Sequence, residues 1–193
     1  MNETLDIDII KEPYDENLDL IYNHLSRYRK AIEIMDLNTN DIVVDFGCGN
    51  GYGSQLISKY ANKVISIDKN DEYLKTAMTK NTKKNIFYVN NDIDFLKQID
   101  NLKIICIEVI EHIKQEEQII LLELFKNIGK ELFLTFPVGK NKKSKYNKYH
   151  LCEPSLEFIY DNIKDKYSKI DIEIKAYLNS FKFIENGAFL YAR

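Results

Sequence analysis

Ile42-Val43-Val44-Asp45-Phe46-Gly47-Cys48-Gly49-Asn50-Gly51-Tyr52-Gly53 is the stretch on which the fold turns. It reads as a short β-branched strand ending in an acid, then alternating glycines, then a helix from Ser54 to Tyr60. Glycine lets the backbone turn sharply and lets a ligand lie against the main chain with no Cβ between them. The first turn of the following helix offers free N–H groups to that ligand. The spacing is Gly-x-Gly-x-Gly, and no Gly-Lys-Ser/Thr follows, which excludes a P-loop.

A second acid follows at the expected distance. Val64-Ile65-Ser66-Ile67-Asp68 reads as the next strand, and Asp68 comes roughly 20 residues past the glycines, where doubly wound sheets place a ribose-binding carboxylate. A carboxylate accepts hydrogen bonds from two vicinal hydroxyls and disfavours a 2′-phosphate. The plainer role for Asp68 is a helix cap. A third acid, Asp92, follows the strand pattern Ile86-Phe87-Tyr88-Val89.

Together these residues give the chain a resemblance to the class I S-adenosylmethionine-dependent methyltransferases. The matching segments are Val44-Asp45-Phe46-Gly47-Cys48-Gly49-Asn50-Gly51, Ile67-Asp68, Asn91-Asp92-Ile93 and Ile107-Glu108-Val109-Ile110-Glu111-His112-Ile113. The chain is similar in particular to the branch with Arg27-Tyr28 upstream, a Gly-Tyr-Gly-Ser turn (Gly51 to Ser54) and a Glu-x-x-Glu-His segment. The resemblance implies that Gly47, Gly49 and Gly51 hold the methionine part of S-adenosylmethionine. It implies ribose contact at Asp68 and adenine contact at Asp92, with Lys69, Ile93 and Glu108 as further cofactor contacts. Asp45 either touches the cofactor or braces the glycine turn. The N-terminal helix would close over the cofactor, and Arg27 would pair with its carboxylate. The product would be S-adenosylhomocysteine.

The 193 residues suit one domain with a sizeable core. We expect an N-terminal helical cap over 1–40 and a cofactor-binding core over 41–193. Acidic residues number 30 against 27 basic ones, a net charge of −3, so no global electrostatic case for nucleic acid exists. Met1 to Glu16 is acidic and polar, unlike a signal peptide, and no apolar run is long enough to span a bilayer. The three cysteines are widely spaced, and Cys48 and Cys106 read as reduced core residues. These features point to a cytoplasmic protein.

Leu18, Ile21, Leu25, Tyr28 and Ile32 recur at helical spacing within Asp15 to Met35. Strands are predicted at 42–46, 63–68, 86–90, 103–108 and 131–136, and helices at 52–60, 71–82, 114–128 and 154–167. The alternation predicts parallel strands with right-handed crossovers, an α/β doubly wound fold with helices on both faces. Late strands near 169–178 and 187–192 complete seven. By resemblance they form the C-terminal antiparallel hairpin of a Rossmann-like methyltransferase fold. Ligands of such sheets bind beyond the carboxyl ends of the strands. Those ends carry Asp45, Asp68, Asp92, Glu108 and Pro137.

Glu108-Val109-Ile110-Glu111-His112 follows the fourth strand. A helical turn there would set Glu108, Glu111 and His112 on one face. With His150 they are candidate ligands for a divalent cation. The resemblance here extends to small-RNA 3′-terminal 2′-O-methyltransferases and quinone-type O-methyltransferases. A metal is not the favoured reading, because Glu-x-x-Glu-His also caps a helix and lines the pocket in metal-free relatives. Without metal, His112 or His150 is a candidate general base, since imidazole titrates near neutral pH. Glu108 completes the catalytic candidates. His24 reads as a solvated histidine.

The Asn/Asp-Pro-Pro-Tyr/Phe signature of amino-group methyltransferases is absent from Phe136-Pro137-Val138-Gly139, which tilts the acceptor toward oxygen. Lys140 to Lys148 is a basic run that is either a solvated loop or a lid for a phosphate-bearing acceptor. The expected activity is methyl transfer from S-adenosylmethionine to an oxygen of a small molecule or of a glycan or nucleotide-sugar precursor. One alternative is metal-dependent 2′-O-methylation of an RNA 3′ end. The net charge and the lack of an added RNA-binding domain count against it. Another is a non-catalytic cofactor-binding module, which would bind the cofactor without turnover across diverse acceptors.

Overall fold

A computed structural model of the chain describes residues 18–90, 93–145, 147–178 and 184–193. The expectations for Asp15, Glu16 and Asp92 lie outside the described residues. The chain divides into two compact units, Met1–Gln98 and Ile99–Arg193. Among the described residues, three strands fall in the first unit and four in the second. The α/β fold class is thus the one the sequence implies, and the strand boundaries fall within a few residues of expectation.

The first unit holds α1 (Leu18–Ile34), β1 (Ile42–Phe46), α2 (Tyr52–Ile57), β2 (Lys63–Ile67), α3 (Asp71–Lys80) and β3 (Ile86–Val89). β2 pairs in parallel with β1 on one side and β3 on the other. Parallel strands covered on both faces are apolar throughout. Accordingly Val43, Val44, Val64, Ile65 and Ile67 are buried. Leu25, Tyr28 and Ile32 are the buried stripe of α1. α2 ends at Ile57, earlier than the predicted residue 60, and the chain turns through Ser58, Lys59 and Tyr60. α3 is capped by Asn70, whose side chain accepts hydrogen bonds from the backbone N–H groups of Glu72 and Tyr73. Asp68 is therefore not the cap. A short 3-10 turn, Asp94–Gln98, follows β3 and had no counterpart in the sequence pattern.

The second unit holds β4 (Leu102–Ile107), α4 (Gln115–Ile128), β5 (Gly129–Pro137), α5 (Leu156–Ile163), β6 (Ile170–Leu178) and β7 (Ile184–Ala192). β4 is buried at all six positions and pairs in parallel with β5. β7 runs antiparallel to both β5 and β6, which is the expected C-terminal hairpin. Leu121, Leu122, Phe125 and Ile128 turn the inner face of α4 into the core beside Leu132, Phe133 and Leu134. No helix among the described residues is long and apolar enough to cross a membrane.

Candidate functional site

The glycine turn is built within the first unit. Gly47, Gly49 and Gly51 have φ of 77°, 53° and 82°, all left-handed. At Gly51 a Cβ would meet Ala77 Cβ at 2.8 Å, so packing also requires glycine there. At Gly49 an added Cβ would find nothing within 4 Å. That open space over a left-handed residue is where a ligand can lie against the main chain.

Asp68 joins the turn to β2. Its Oδ2 accepts from Gly49 N at 2.9 Å, and its Oδ1 accepts from Asn70 N at 2.8 Å. Each carboxylate oxygen keeps further acceptor capacity, and the residue is half-buried. Lys69 is exposed and Ile93 half-buried.

Asp45 is fully buried. Its Oδ1 accepts from Tyr28 Oη at 3.0 Å and its Oδ2 from Ser54 Oγ at 2.5 Å. Burial pushes its carboxyl up to about 6, against the pull of those two hydrogen bonds. This bonding favours the bracing role, because Asp45 links α1, through Tyr28, to the first turn of α2, through Ser54. Tyr28 also covers Gly53, where an added Cβ would lie 2.0 Å from its ring. Arg27 on the same helix is 5% exposed, so it is not a surface arginine. His24 is not simply solvated either. Its Nδ1 lies 2.9 Å from Tyr52 Oη, at the start of α2.

The second unit assembles a separate set. Glu108 has φ of 52° and precedes a 3-10 turn at Ile110–His112. The left-handed residue breaks the helical phase, so Glu108 does not share a face with Glu111 and His112 as the sequence suggested. Its Oε1 instead accepts from Thr135 Oγ1 on β5 at 2.9 Å. Glu111 and His112 remain together, and His150 joins them. The candidate ligand atoms of Glu111, His112 and His150 lie within 4.8 Å of one another. The two imidazole rings meet edge to face, with centroids 4.9 Å apart. Glu111 is 1% exposed, and its Oε1 is 3.9 Å from His112 Nε2.

Gln118, on α4, ties this set together and was missed in the sequence. It is fully buried. Its Nε2 donates to Ile110 O at 2.8 Å and to Cys152 O at 2.6 Å. Cys152 N donates to Glu111 O at 3.2 Å. The segment after β5 closes on itself through Gly139 N to Pro154 O and Asn141 N to Glu153 O. The basic run thus forms a closed loop that returns His150 to His112. Lys140, Lys142, Lys143, Lys145 and Lys148 are exposed on it.

A family model described as a methyltransferase domain matches residues 43–130, which include the glycine turn, Asp68 and the Glu-x-x-Glu-His segment. Over that stretch the chain is similar to methyltransferases. A ubiquinone biosynthesis O-methyltransferase from Rickettsia typhi is 30% identical over 157 residues, covering 76% of this chain and 62% of that protein. A 23S rRNA uracil methyltransferase from Francisella tularensis subsp. novicida is 33% identical over 86 residues, 44% of this chain and 19% of that protein. The chain thus spans 62% or less of the length of these curated relatives. The solved structure of magnesium protoporphyrin IX methyltransferase from Synechocystis PCC 6803, with bound SAH, matches over 97% of this chain and 93% of its own. Its TM-score is 0.68 at 15% identity, a likeness of fold.

Proposed function

We propose that the chain transfers a methyl group from S-adenosylmethionine to the oxygen of a small-molecule acceptor or glycan precursor. The convergence of His112, His150 and the buried Glu111 carries the choice of oxygen, because a hydroxyl must lose its proton during transfer. The likeness to a ubiquinone biosynthesis O-methyltransferase supports the same choice.

The glycine turn fits the methyl donor. Gly49 leaves open space against the backbone, and Asp68 presents a half-buried carboxylate fixed by two backbone N–H groups. When bound, the donor supplies a sulfonium methyl that an acceptor oxygen can attack in line. Alignment of the two reactants is the protein's main contribution. In this reading Gly47, Gly49, Gly51 and Asp68 hold the donor, and Arg27, Lys69, Asp92 and Ile93 are further candidate contacts. His112 or His150 takes the hydroxyl proton on a ring nitrogen, and Glu108 orients the segment through Thr135. The exposed lysines after β5 suit an acceptor that carries phosphate.

A second reading places a divalent cation between Glu111, His112 and His150. One carboxylate and two imidazoles suit a transition ion better than magnesium. Such a cation would polarise the acceptor hydroxyl. It would bring the RNA 3′-end alternative forward.

The test is methyl transfer from isotopically labelled S-adenosylmethionine to a panel of phenols, nucleotide sugars and short RNAs. Products would be read by mass spectrometry, with and without exhaustive chelation. We expect an O-methylated small molecule, formed equally well after chelation. Products only on RNA, lost on chelation and restored by manganese, would replace this reading with the second.

A further inference from the structure

Glu153 has no signature in the sequence, yet it is bonded to one of the two candidate bases. Its Oε1 lies 2.8 Å from His150 Nδ1. A carboxylate only accepts hydrogen bonds, so Nδ1 must carry the hydrogen. Burial raises the Glu153 carboxyl. The hydrogen bonds from His150 and Ser144 and the His150 charge outweigh burial and hold it below its ordinary value.

The backbone fixes Glu153 before its side chain acts. Its N–H donates to Lys142 O at 3.0 Å, and its carbonyl accepts from Asn141 N at 2.9 Å. Gly139 permits this close approach, since a Cβ there would lie 2.3 Å from Glu153 Cβ. The side chain is 18% exposed and that of His150 10% exposed, so water competes weakly for the bond. His112 shows the same pattern. Its Nδ1 lies 3.1 Å from Tyr149 O, a carbonyl that can only accept. Both imidazoles thus direct Nδ1 at an acceptor of the surrounding protein.

We propose that Glu153 is a positioning residue, which fixes His150 in the Nδ1–H tautomer and so reserves Nε2 for chemistry. A histidine without such a partner favours neither this tautomer nor one ring orientation. The inference rests on the proposed methyl transfer only for what Nε2 then does. In that reaction Nε2 takes the acceptor proton, the acceptor oxygen bonds to the methyl carbon, and the carbon–sulfur bond breaks with its electron pair left on sulfur.

The experiment is long-range proton–nitrogen NMR on the full chain labelled with 15N-histidine, at a pH where the rings are neutral. The chain has only 3 histidines, and loss of one signal in His150→Gln assigns it. We expect His150 as the Nδ1–H tautomer in the wild type, reverting to Nε2–H in Glu153→Ala and in Glu153→Leu. The second variant keeps the side-chain volume. The His24 signal should be unchanged in both, which reports an intact fold. With any acceptor methylated by the wild type, either variant should lower kcat more than about tenfold at unchanged cofactor KM. An Nε2–H tautomer in the wild type overturns the proposal by itself, even if neither variant folds. So does an unchanged tautomer or an unchanged kcat in the variants. A wild type that methylates nothing defeats the proposed function but leaves the tautomer result decisive for Glu153.

Discussion

At Asp45 a single buried carboxylate couples a helix to the glycine turn, and its protonation should be visible in stability. Its folded pKa of about 6 lies above the ordinary 3.8, so the fold binds this proton more tightly than the unfolded chain. The resulting stabilisation is complete below about 3.8 and is lost as pH rises through about 6, roughly 3 kcal/mol in all. We predict that Asp45→Asn flattens this slope in denaturant melts taken from pH 4 to 7; identical wild-type and variant slopes would contradict it. Asp68 makes a different prediction, because its bonds point at the ligand side of the turn. Asp68→Ala should weaken S-adenosylhomocysteine binding by about 1.5–3 kcal/mol, measured by calorimetry. Gly49 provides the steric counterpart. A Cβ there meets nothing within 4 Å, but valine must hold a left-handed φ of 53° at a cost of about 1–2 kcal/mol. Gly49→Val should therefore stay folded by circular dichroism and lose the ligand. Normal binding would mean that the turn is not the cradle.

Elements meet in each unit through a few buried polar staples, and these are what the sequence concealed. α1 is held to the start of α2 by Tyr28, whose hydroxyl donates to Asp45 and whose ring covers Gly53. Gly53→Ala would drive a methyl into that ring. Because an aromatic ring moves only with its helix, the loss should be about 1–3 kcal/mol in chemical denaturation. In the second unit Gln118 supports two backbone carbonyls from segments far apart in sequence. Gln118→Ala should cost about 1–3 kcal/mol, and it should remove the contact between His112 and His150, seen as a change in both histidine NMR signals. The strands were legible because Ile42–Phe46, Lys63–Ile67 and Leu102–Ile107 are short β-branched runs bounded by polar or glycine residues. The glycine turn was legible because its spacing has one physical use. Glu108 was misread because a left-handed φ at a non-glycine residue leaves no trace in periodicity. Gln118 and Glu153 were missed because their partners come from backbone atoms and loop closure, which carry no residue-type pattern.

Across the whole chain, the two units carry different halves of the proposed chemistry. The proposed donor cradle belongs to Met1–Gln98, and the imidazole pair belongs to Ile99–Arg193. The methyltransferase-domain match over residues 43–130 includes the glycine turn and His112 but not His150. The acceptor is the least determined part, since acceptor walls are commonly loops and the curated relatives of similar identity are named for ubiquinone biosynthesis and for 23S rRNA. The donor is the central claim, and it is tested without knowing the acceptor. Isothermal titration calorimetry of the purified chain should be run with S-adenosylhomocysteine and, separately, with a nicotinamide dinucleotide. The predicted result is saturable binding of the former and no heat from the latter. No binding of S-adenosylhomocysteine, or equal affinity for the dinucleotide, would contradict the account.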